Sequence, residues 1–178
     1  PAKTFFDNLE ETVIHKKYTD DTAGINSRTN DALGIKPLGL NPSFAVEVLF
    51  YSKPQVYPFA TVAGNMNDTS GFIIARVLNS SNYFFGVNGK GFALPAPDNQ
   101  WVYCAMNVYP DHLEVYLDGV PAGTIPLAAP YHQSPEKFSV GNAGFMRYFI
   151  GAISEVAVIN KPLDKEKIAA TWEAIKQL

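Results

Sequence analysis

The sequence is short of cysteine and of positive charge. Cys104 is the one cysteine among 178 residues, which excludes an intrachain disulfide. Lys and Arg together number 14 against 17 Asp and Glu, so the formal net charge is -3. Because no basic stripe is present to displace counterions from a phosphate backbone, we expect no nucleic-acid partner. The apolar runs are too short and too interrupted to cross a bilayer, so we expect no membrane span.

Apolar and aromatic residues are plentiful. Hydrophobic residues make up 47% of the chain and aromatic residues 13%, while charged residues make up 17%, a balance typical of a well-packed globular domain. The length and the lack of a linker predict a single domain over residues 1–178. Because the chain begins at Pro1 rather than Met, we interpret it as a mature form or as a module of a longer protein.

The clearest pattern is a β-hairpin at residues 101–119. Residues 101–109 and 113–118 alternate with a period of two, which predicts two antiparallel strands that bury one face. The inward residues are expected to be Val102, Cys104, Met106, Val108, Leu113, Val115 and Leu117. On that face Cys104 is expected to be a packed thiol rather than a reactive one. Asp118-Gly119 predicts a tight turn after the second strand.

Further short strands are predicted on both sides of this hairpin. They are residues 44–51, 57–63, 71–78, 82–87, 121–127, 137–141 and 148–160. Residues 1–42 are less clear, because a short helix near the start and a strand at residues 12–18 both fit the pattern. Short strands that are separated at regular intervals by turns predict a β-sandwich or jelly roll.

The period changes to that of a helix after Leu163. Asp164 is a natural N-cap, and Leu163 and Ile168 can form a hydrophobic staple. Ile168, Trp172 and Ile175 recur at helical spacing, which predicts a short amphipathic helix that packs on the sandwich.

Three segments carry a family resemblance. They are residues 44–50 (FAVEVLF), the hairpin of residues 101–108 (WVYCAMNV) and 113–119 (LEVYLDG), and residues 151–158 (GAISEVAV) with the helix start at Pro162-Leu163. Together they resemble the laminin-G-like group of the concanavalin A-like lectin and glucanase superfamily. The resemblance implies an all-β fold, an antiparallel two-sheet jelly-roll sandwich with a short C-terminal helix.

The resemblance also raises the question of calcium. Members of the family often hold a structural Ca²⁺ ion with an Asp in the closing strand, where this chain has Ser154. A hydroxyl is a poor replacement for a carboxylate around a hard cation, which weakens the expectation of a Ca²⁺ cofactor. The remaining candidate ligands are Asp20, Asp21, Asp111 and Glu155, although isolated carboxylates in loops are usually solvated turn residues.

A polar set is expected on the outward face of one sheet, if its strands are neighbours as in the resembled family. The set is Glu47, Arg76, Tyr103, Asn107, Tyr109, Glu114 and Tyr116. Sugar hydroxyls need several donors and acceptors, and the apolar face of a pyranose packs on an aromatic ring, so such a face suits a glycan. The alternative is that Glu47, Arg76 and Glu114 only pair across strands on a half-exposed sheet.

Loops at one edge of the sandwich are the second candidate surface. Their polar and aromatic residues are Asn65, Asn67 and Asp68, then Tyr131, His132 and Gln133, then Phe145, Arg147 and Tyr148. Loops on a rigid scaffold commonly carry binding residues, although Asn and Asp also form turns for local reasons. The sequence does not indicate which of these loops share an edge.

Enzyme signatures of the resembled superfamily are missing. No segment has the E-x-D-x-x-E arrangement of its retaining glucanases, and the Arg, Gln-x-His and Tyr-x-Lys strands of its lyases do not occur together. Glu47 and Glu114 could still meet across the sheet face, so a glycoside hydrolase or polysaccharide lyase stays an alternative. A protein-interaction or packing domain is another, and Phe84, Phe145 and Phe149 are the residues that would form its apolar patch.

The sequence and the resemblance together favour a non-catalytic carbohydrate-binding or adhesion module of a larger extracellular or cell-surface protein. The expected partners are a glycan or polysaccharide and the other domains of a parent protein. The candidate ligand-binding residues are Glu47, Arg76, Tyr103, Asn107, Glu114, Tyr116, Asn65, Asn67, Tyr131, His132 and Arg147.

Overall fold

The computed structural model describes residues 12–17, 38–78, 80–141 and 148–177. In these ranges the chain forms eleven β-strands and one α-helix. They are β1 (Thr12–Lys17), β2 (Phe44–Ser52), β3 (Ala60–Gly64), β4 (Phe72–Arg76), β5 (Asn82–Val87), β6 (Lys90–Pro95), β7 (Trp101–Val108), β8 (His112–Leu117), β9 (Val120–Pro126), β10 (Ser139–Val140), β11 (Gly151–Ile159) and α1 (Lys165–Lys176).

The strands form two antiparallel sheets. The six-stranded sheet has the order β1-β11-β2-β7-β8-β9, and the five-stranded sheet has the order β10-β3-β4-β5-β6. The predicted fold class, an antiparallel sandwich with a short C-terminal helix, is therefore confirmed. Within the segment where the sequence left helix and strand open, the structure has the strand β1 at Thr12–Lys17.

The strand β6 was missed by sequence analysis. Its inward residues, Phe92 and Leu94, pack on the core, whereas Gly91 and Ala93 occupy the alternate positions. Small residues at the outward positions hide a period of two, because glycine and alanine contrast weakly with their apolar neighbours. Pro95 ends the strand at the edge of its sheet, where a proline is tolerated.

The main core lies between the two sheets and follows the predicted alternation. On β2 the inward residues are Phe44, Val46, Val48 and Phe50, and on β7 they are Val102, Cys104, Met106 and Val108. Cys104 is fully buried, and burial raises the pKa of its thiol well above the usual value. The thiol is therefore packed and protonated, as the alternation predicted.

A second, smaller core lies on the outer face of the six-stranded sheet, under α1. Leu163 and Ile168, the predicted staple, are both buried in it, and Trp172 stacks on Tyr103 with ring centroids 6.5 Å apart. Asp164 precedes the helix, but its side chain makes no capping hydrogen bond. The helix therefore covers the sheet face on which the glycan site was expected.

The turn after β8 fits closely against this helix. Gly119 has φ +79°, and a Cβ atom there would lie 2.8 Å from the Cβ atom of Trp172. A side chain at this position would push the helix away from the sheet. In the described part of the chain, no helix has the length and apolarity needed to cross a membrane.

Candidate functional site

The predicted polar set does not share one open sheet face. Arg76 lies on β4 in the five-stranded sheet, whereas Glu47, Tyr103 and Asn107 lie on β2 and β7 of the six-stranded sheet. Glu47 is 1% exposed, and Tyr103 and Asn107 are fully buried beneath α1. The expectation of one open face was therefore wrong, because the helix that the sequence predicted packs directly on top of it.

Glu47 and Tyr103 form a polar pair inside this second core. The Tyr103 hydroxyl donates a hydrogen bond to Oε1 of Glu47. Burial raises the pKa of Glu47 to about 7, while the hydrogen bond from Tyr103 and the charge of Lys167 lower it in part. Glu155 is also fully buried, and its charge raises the pKa of Glu47 further. Glu47 and Tyr103 stabilise each other and are almost completely removed from solvent.

Asn107 ties the start of the helix to the sheet. Its Nδ2 donates to the carbonyl oxygen of Leu163 at 2.8 Å, and its Oδ1 accepts from the Leu163 amide at 2.9 Å. The side-chain amide thus satisfies both backbone groups of a buried residue where no strand can pair with it. Asn107 has a structural role in this fold.

Glu114 and Tyr116 lie on β8, at the margin of the covered face. Tyr116 is 8% exposed and donates its hydroxyl to Oε2 of Glu114 at 3.2 Å. Nε2 of His112 lies 3.5 Å from the same carboxylate, and the His112 ring stacks on Tyr109 at 4.3 Å. Strand β7 separates Glu114 from Glu47, which is buried, so the two carboxylates do not face each other across an open cleft.

The loops at one end of the sandwich do come together, and we call this the His132 end (residues 65–71, 88–89 and 127–138). The Gly71 amide donates to the His132 carbonyl oxygen at 2.9 Å, and Asn88 bonds Pro130 and His132 through its side chain. A Cβ atom on Gly89 would lie 1.9 Å from the carbonyl oxygen of Asp68. Only glycine therefore allows this turn to lie so close to that loop.

The polar side chains of the His132 end mostly hold their own loops. Oδ1 of Asn67 accepts from the Thr69 and Ser70 amides at 3.0 and 2.9 Å, and Oδ1 of Asn65 accepts from the Phe72 amide at 3.2 Å. Tyr131 is only 7% exposed. His132 is exposed. Phe145 and Arg147 lie outside the described residues, and Tyr148 packs instead on Tyr57, with ring centroids 5.5 Å apart.

The described residues do not bring the candidate calcium ligands together. Among them no group of three or more His, Cys, Asp and Glu side chains is arranged to hold a metal. Glu155 is buried in the second core, and Asp111 hydrogen-bonds its neighbour His112 at 2.6 Å on an exposed turn. Asp20 and Asp21 lie outside the described residues.

A polar cleft opens at the opposite end of the sandwich, which we call the Arg76 end (residues 53–59, 77–81, 96–100 and 148–150, with residue 79 not described). The cleft has a volume of about 200 Å³. Its lining residues are Pro54, Gln55, Arg76, Ser80, Ser81 and Asp98. Because this volume is below the roughly 300–1,000 Å³ of pockets for drug-sized ligands, the cleft suits one small polar group or sugar ring.

An ion pair forms the floor of the cleft. Nη2 of Arg76 lies 2.7 and 2.8 Å from the two carboxylate oxygens of Asp98. Nη1 donates to the carbonyl oxygen of Asn82 at 3.1 Å, and the guanidinium lies 5.4 Å from the centre of the Tyr83 ring. Nε is buried and has no hydrogen-bond partner among the described residues. A buried charge of this kind is tolerated only because the carboxylate compensates it.

Gln55 fixes one wall of the cleft. Its Nε2 donates to the carbonyl oxygens of Lys53 and Ile150, the latter at 2.7 Å, and its Oε1 accepts from the Ile150 amide at 2.7 Å. On the opposite wall the Ser80 hydroxyl accepts from the Asn82 amide at 3.2 Å. Ser81 is exposed at the rim. The cleft is therefore built on loops whose backbones are held in place.

Arg76 was predicted as a ligand-binding residue on an open sheet face, whereas its neighbours in the cleft were not predicted. Asp98 follows Pro95-Ala96-Pro97, which is typical of a turn, and Gln55 and the two serines lie in short polar loops with no motif. Trp101 was not among the predicted site residues, and it is 44% exposed, with its ring edge-on to Tyr51 at 5.8 Å. Its position on the outward side of the alternation was the available signal.

Of the three phenylalanines proposed for an apolar patch, the structure describes Phe84 and Phe149. Phe149 is fully buried in the main core. Phe84 is half-buried and packs edge-on against Phe59 at 5.4 Å. Phe59 is 42% exposed and belongs to the Arg76 end, beside the cleft loops.

Several solved structures share this fold at low sequence identity. The CBM40 domain of the Ruminococcus gnavus IT-sialidase, bound to alpha2,3 sialyllactose, has a TM-score of 0.68 and 15% identity, over 90% of this chain and 98% of that one. Domain 4 of AbnA, an extracellular arabinanase from Geobacillus stearothermophilus in complex with arabinotriose, has a TM-score of 0.58 and 16% identity, over 80% and 69%.

The binding domain of botulinum neurotoxin DC, in a complex with SialylT, has a TM-score of 0.59 and 15% identity over 75% of this chain. This chain spans only 35% of that domain's length.

No curated protein sequence matches the chain. Residues 27–169 match the sequence family described as the concanavalin A-like lectin/glucanases superfamily, and this match covers most of the chain. The protein therefore belongs to the concanavalin A-like lectin/glucanase superfamily, as the hairpin and the closing strand predicted.

Proposed function

We propose that the protein is a non-catalytic carbohydrate-binding module and that the cleft at the Arg76 end holds the sugar. The observation that carries this proposal is the cleft itself, in which the Arg76–Asp98 ion pair and two serine side chains line a space of about 200 Å³. Sugars are recognised by a few fixed donors and acceptors in a concave site, and this cleft supplies both kinds.

Exposed apolar side chains at the same end of the sandwich support the same function. Val56, the residue after Gln55, is 64% exposed, and Trp101 lies three positions after Asp98. An exposed indole ring offers a surface on which the apolar face of a sugar can stack. A polar cleft and an exposed aromatic ring at one end of the sandwich suit a sugar residue with a neighbouring residue outside the cleft.

The comparisons support the proposal at the level of fold. Solved structures of similar fold include domains in complexes with sialyllactose and with arabinotriose. One of them is part of an extracellular enzyme, and we propose an extracellular or cell-surface location for this module in a larger protein. Since a fold hosts many functions, the cleft residues decide the proposal for this chain.

The burial of Glu47 supports a binding role over catalysis by the Glu47 and Glu114 pair. Glycoside hydrolysis needs two carboxylates that flank the scissile bond in one open site. Glu47 is 1% exposed under α1. A catalytic role for this pair would require the helix to leave the sheet.

A glycan array followed by calorimetry tests the proposal. We expect at least one glycan to bind with a Kd of millimolar or tighter, as is usual for a small exposed site. Ser81→Trp, which fills the rim of the cleft, should weaken that binding about ten-fold or more, since a lost contact of about 1.4 kcal/mol changes affinity ten-fold. Thr124→Trp, on the exposed side of β9, is the matched control and should leave binding unchanged. An array with no binder at millimolar sensitivity would reject the proposed function.

A further inference from the structure

In the ion pair of the cleft, the Asp98 carboxylate is more exposed to solvent than the Arg76 guanidinium. The Asp98 side chain is 20% exposed, whereas the Arg76 side chain is 2% exposed. A ligand that enters the cleft therefore meets the carboxylate first. Of the oxygen lone pairs of Asp98, two are directed at Nη2 of Arg76, and a carboxylate has about four such sites. Asp98 thus keeps the capacity to accept hydrogen bonds from a ligand.

The positive charge of Arg76 is already neutralised. Its Nη2 lies within 2.8 Å of both Asp98 oxygens, and its Nη1 is bonded to a backbone carbonyl group. The other residues that line the cleft, Pro54, Gln55, Ser80 and Ser81, are uncharged. The cleft therefore has no uncompensated cation among its described lining residues to attract an anionic ligand.

Hydroxyl groups are the ligand groups that match this arrangement. A sugar hydroxyl can donate to the exposed oxygen of Asp98, and a neighbouring hydroxyl can exchange a hydrogen bond with Ser81 at the rim. A carboxylate on the sugar would instead approach the Asp98 carboxylate, and like charges in a partly desolvated site repel strongly.

Resting on the proposed function, we infer that the cleft selects neutral sugars with adjacent hydroxyl groups and discriminates against acidic sugars. This preference sets the chain apart from the structurally similar domains that were solved in complexes with sialyllactose. Overall charge acts in the same direction, because the chain carries a formal net charge of -3.

Matched pairs of neutral and acidic sugars test the inference. The probes are the methyl glycosides of glucose and galactose, their uronic acid counterparts, and lactose with 3′-sialyllactose, each titrated by NMR against the full chain. We expect the neutral member of a bound pair to bind about ten-fold tighter or more. The shifted amide signals should include those of Ser81 and Asp98.

Asp98→Asn isolates the charge. The variant keeps the size of the side chain and an oxygen that accepts from Arg76, but it removes the negative charge that neutralises the guanidinium. We expect the neutral-to-acidic affinity ratio to fall about ten-fold or to invert. Asp68→Asn makes the same charge change on an exposed loop at the His132 end and should leave the ratio unchanged.

A second variant covers the case in which Asp98→Asn fails to fold. Ser81→Asp adds a negative charge at the exposed rim and should raise the neutral-to-acidic ratio further. Preference of the wild-type chain for the acidic member, or a ratio that neither variant changes, would overturn the inference while carbohydrate binding stands. Failure of the whole glycan array would instead reject the proposed function.

Discussion

The outer face of the six-stranded sheet and the cleft at the Arg76 end are built from similar side chains, yet only the cleft is open. Under α1, Glu47 hydrogen-bonds Tyr103, and both are almost completely buried. In the cleft, Arg76 pairs with Asp98, whose side chain is 20% exposed. The two regions differ in what packs over them, and not in the chemistry that their residues can perform.

This comparison shows why alternation alone is a weak guide to a binding face. A period of two separates the two faces of a strand, but it does not say whether the outward face meets water or a second layer. Here twelve helical residues supply that second layer. The polar groups beneath them are tolerated because each has a partner, as buried polar groups require.

The largest effect is expected from removing a bond that holds the covered face closed. Asn107→Ala leaves the backbone N–H and C=O groups of Leu163 without partners beneath the helix. Each unsatisfied buried group costs about 1–3 kcal/mol, so we expect the free energy of unfolding to fall by about 2–6 kcal/mol. Urea denaturation followed by circular dichroism measures it.

Asn41→Ala is the control for that prediction. Asn41 donates from Nδ2 to the carbonyl oxygen of Asn160 at 3.0 Å, but this bond is exposed, so its loss should cost about 1 kcal/mol or less. If Asn107→Ala were as stable as the wild type yet lost its glycan, Asn107 would be a ligand-binding residue after all, and the comparison between the two regions would fail.

The sequence predicted most of the fold because the fold depends on local patterns. On β2 and β7 the apolar residues that face the main core alternate with those of the outer face, and these residues carry that signal themselves. The helix after Leu163 was likewise predicted from its spacing. The strand β6 was missed because Gly91 and Ala93 differ too little in polarity from their apolar neighbours to show an alternation.

The candidate site was harder to predict because it depends on pairing between distant segments. Arg76 and Asp98 are 22 positions apart and meet only because β4 and the loop before β7 lie at the same end of the sandwich. The docking of α1 on Tyr103 is also a contact between distant residues, and it removes Glu47 and Asn107 from solvent. Neither of these two contacts can be recognised from the residues close to it in the sequence.

A pH dependence of stability is the next expected effect, and it belongs to the covered face. The pKa of Glu47 is raised from 4.5 to about 7, chiefly by burial, so the folded state binds this proton more tightly than the unfolded state does. The stabilisation is fully present below pH 4.5 and is lost as the pH rises to about 7. Between pH 5 and 8 the loss should amount to about 2–3 kcal/mol.

Glu47→Gln isolates this contribution. The amide keeps an oxygen that accepts from the Tyr103 hydroxyl but cannot ionise, so the variant should lose that part of the pH dependence. Equilibrium unfolding of both proteins at pH 5, 6, 7 and 8 gives the difference. Parallel stability curves for the two proteins would mean that Glu47 is exposed or that its charge is fully compensated in the folded state.

The smallest effect on stability is expected at Trp101, which links the two regions because it lies on the outward side of β7 but at the Arg76 end. Its side chain is 44% exposed and contacts Tyr51 edge-on. An aromatic pair of this kind contributes about 0.5–1.5 kcal/mol, so Trp101→Ala should lower the free energy of unfolding by about 1 kcal/mol.

The effect of Trp101→Ala on glycan binding should depend on the length of the glycan. If the sugar next to the one in the cleft stacks on the indole ring, Trp101→Ala should weaken an oligosaccharide about three- to ten-fold, because a stacked ring contributes about 1 kcal/mol, and leave a monosaccharide unchanged. Calorimetry with a glycan from the array and its terminal monosaccharide measures both affinities. Equal losses for the two ligands would instead mean that Trp101 acts on the cleft through the loop that carries Asp98, since that loop and β7 are continuous in sequence.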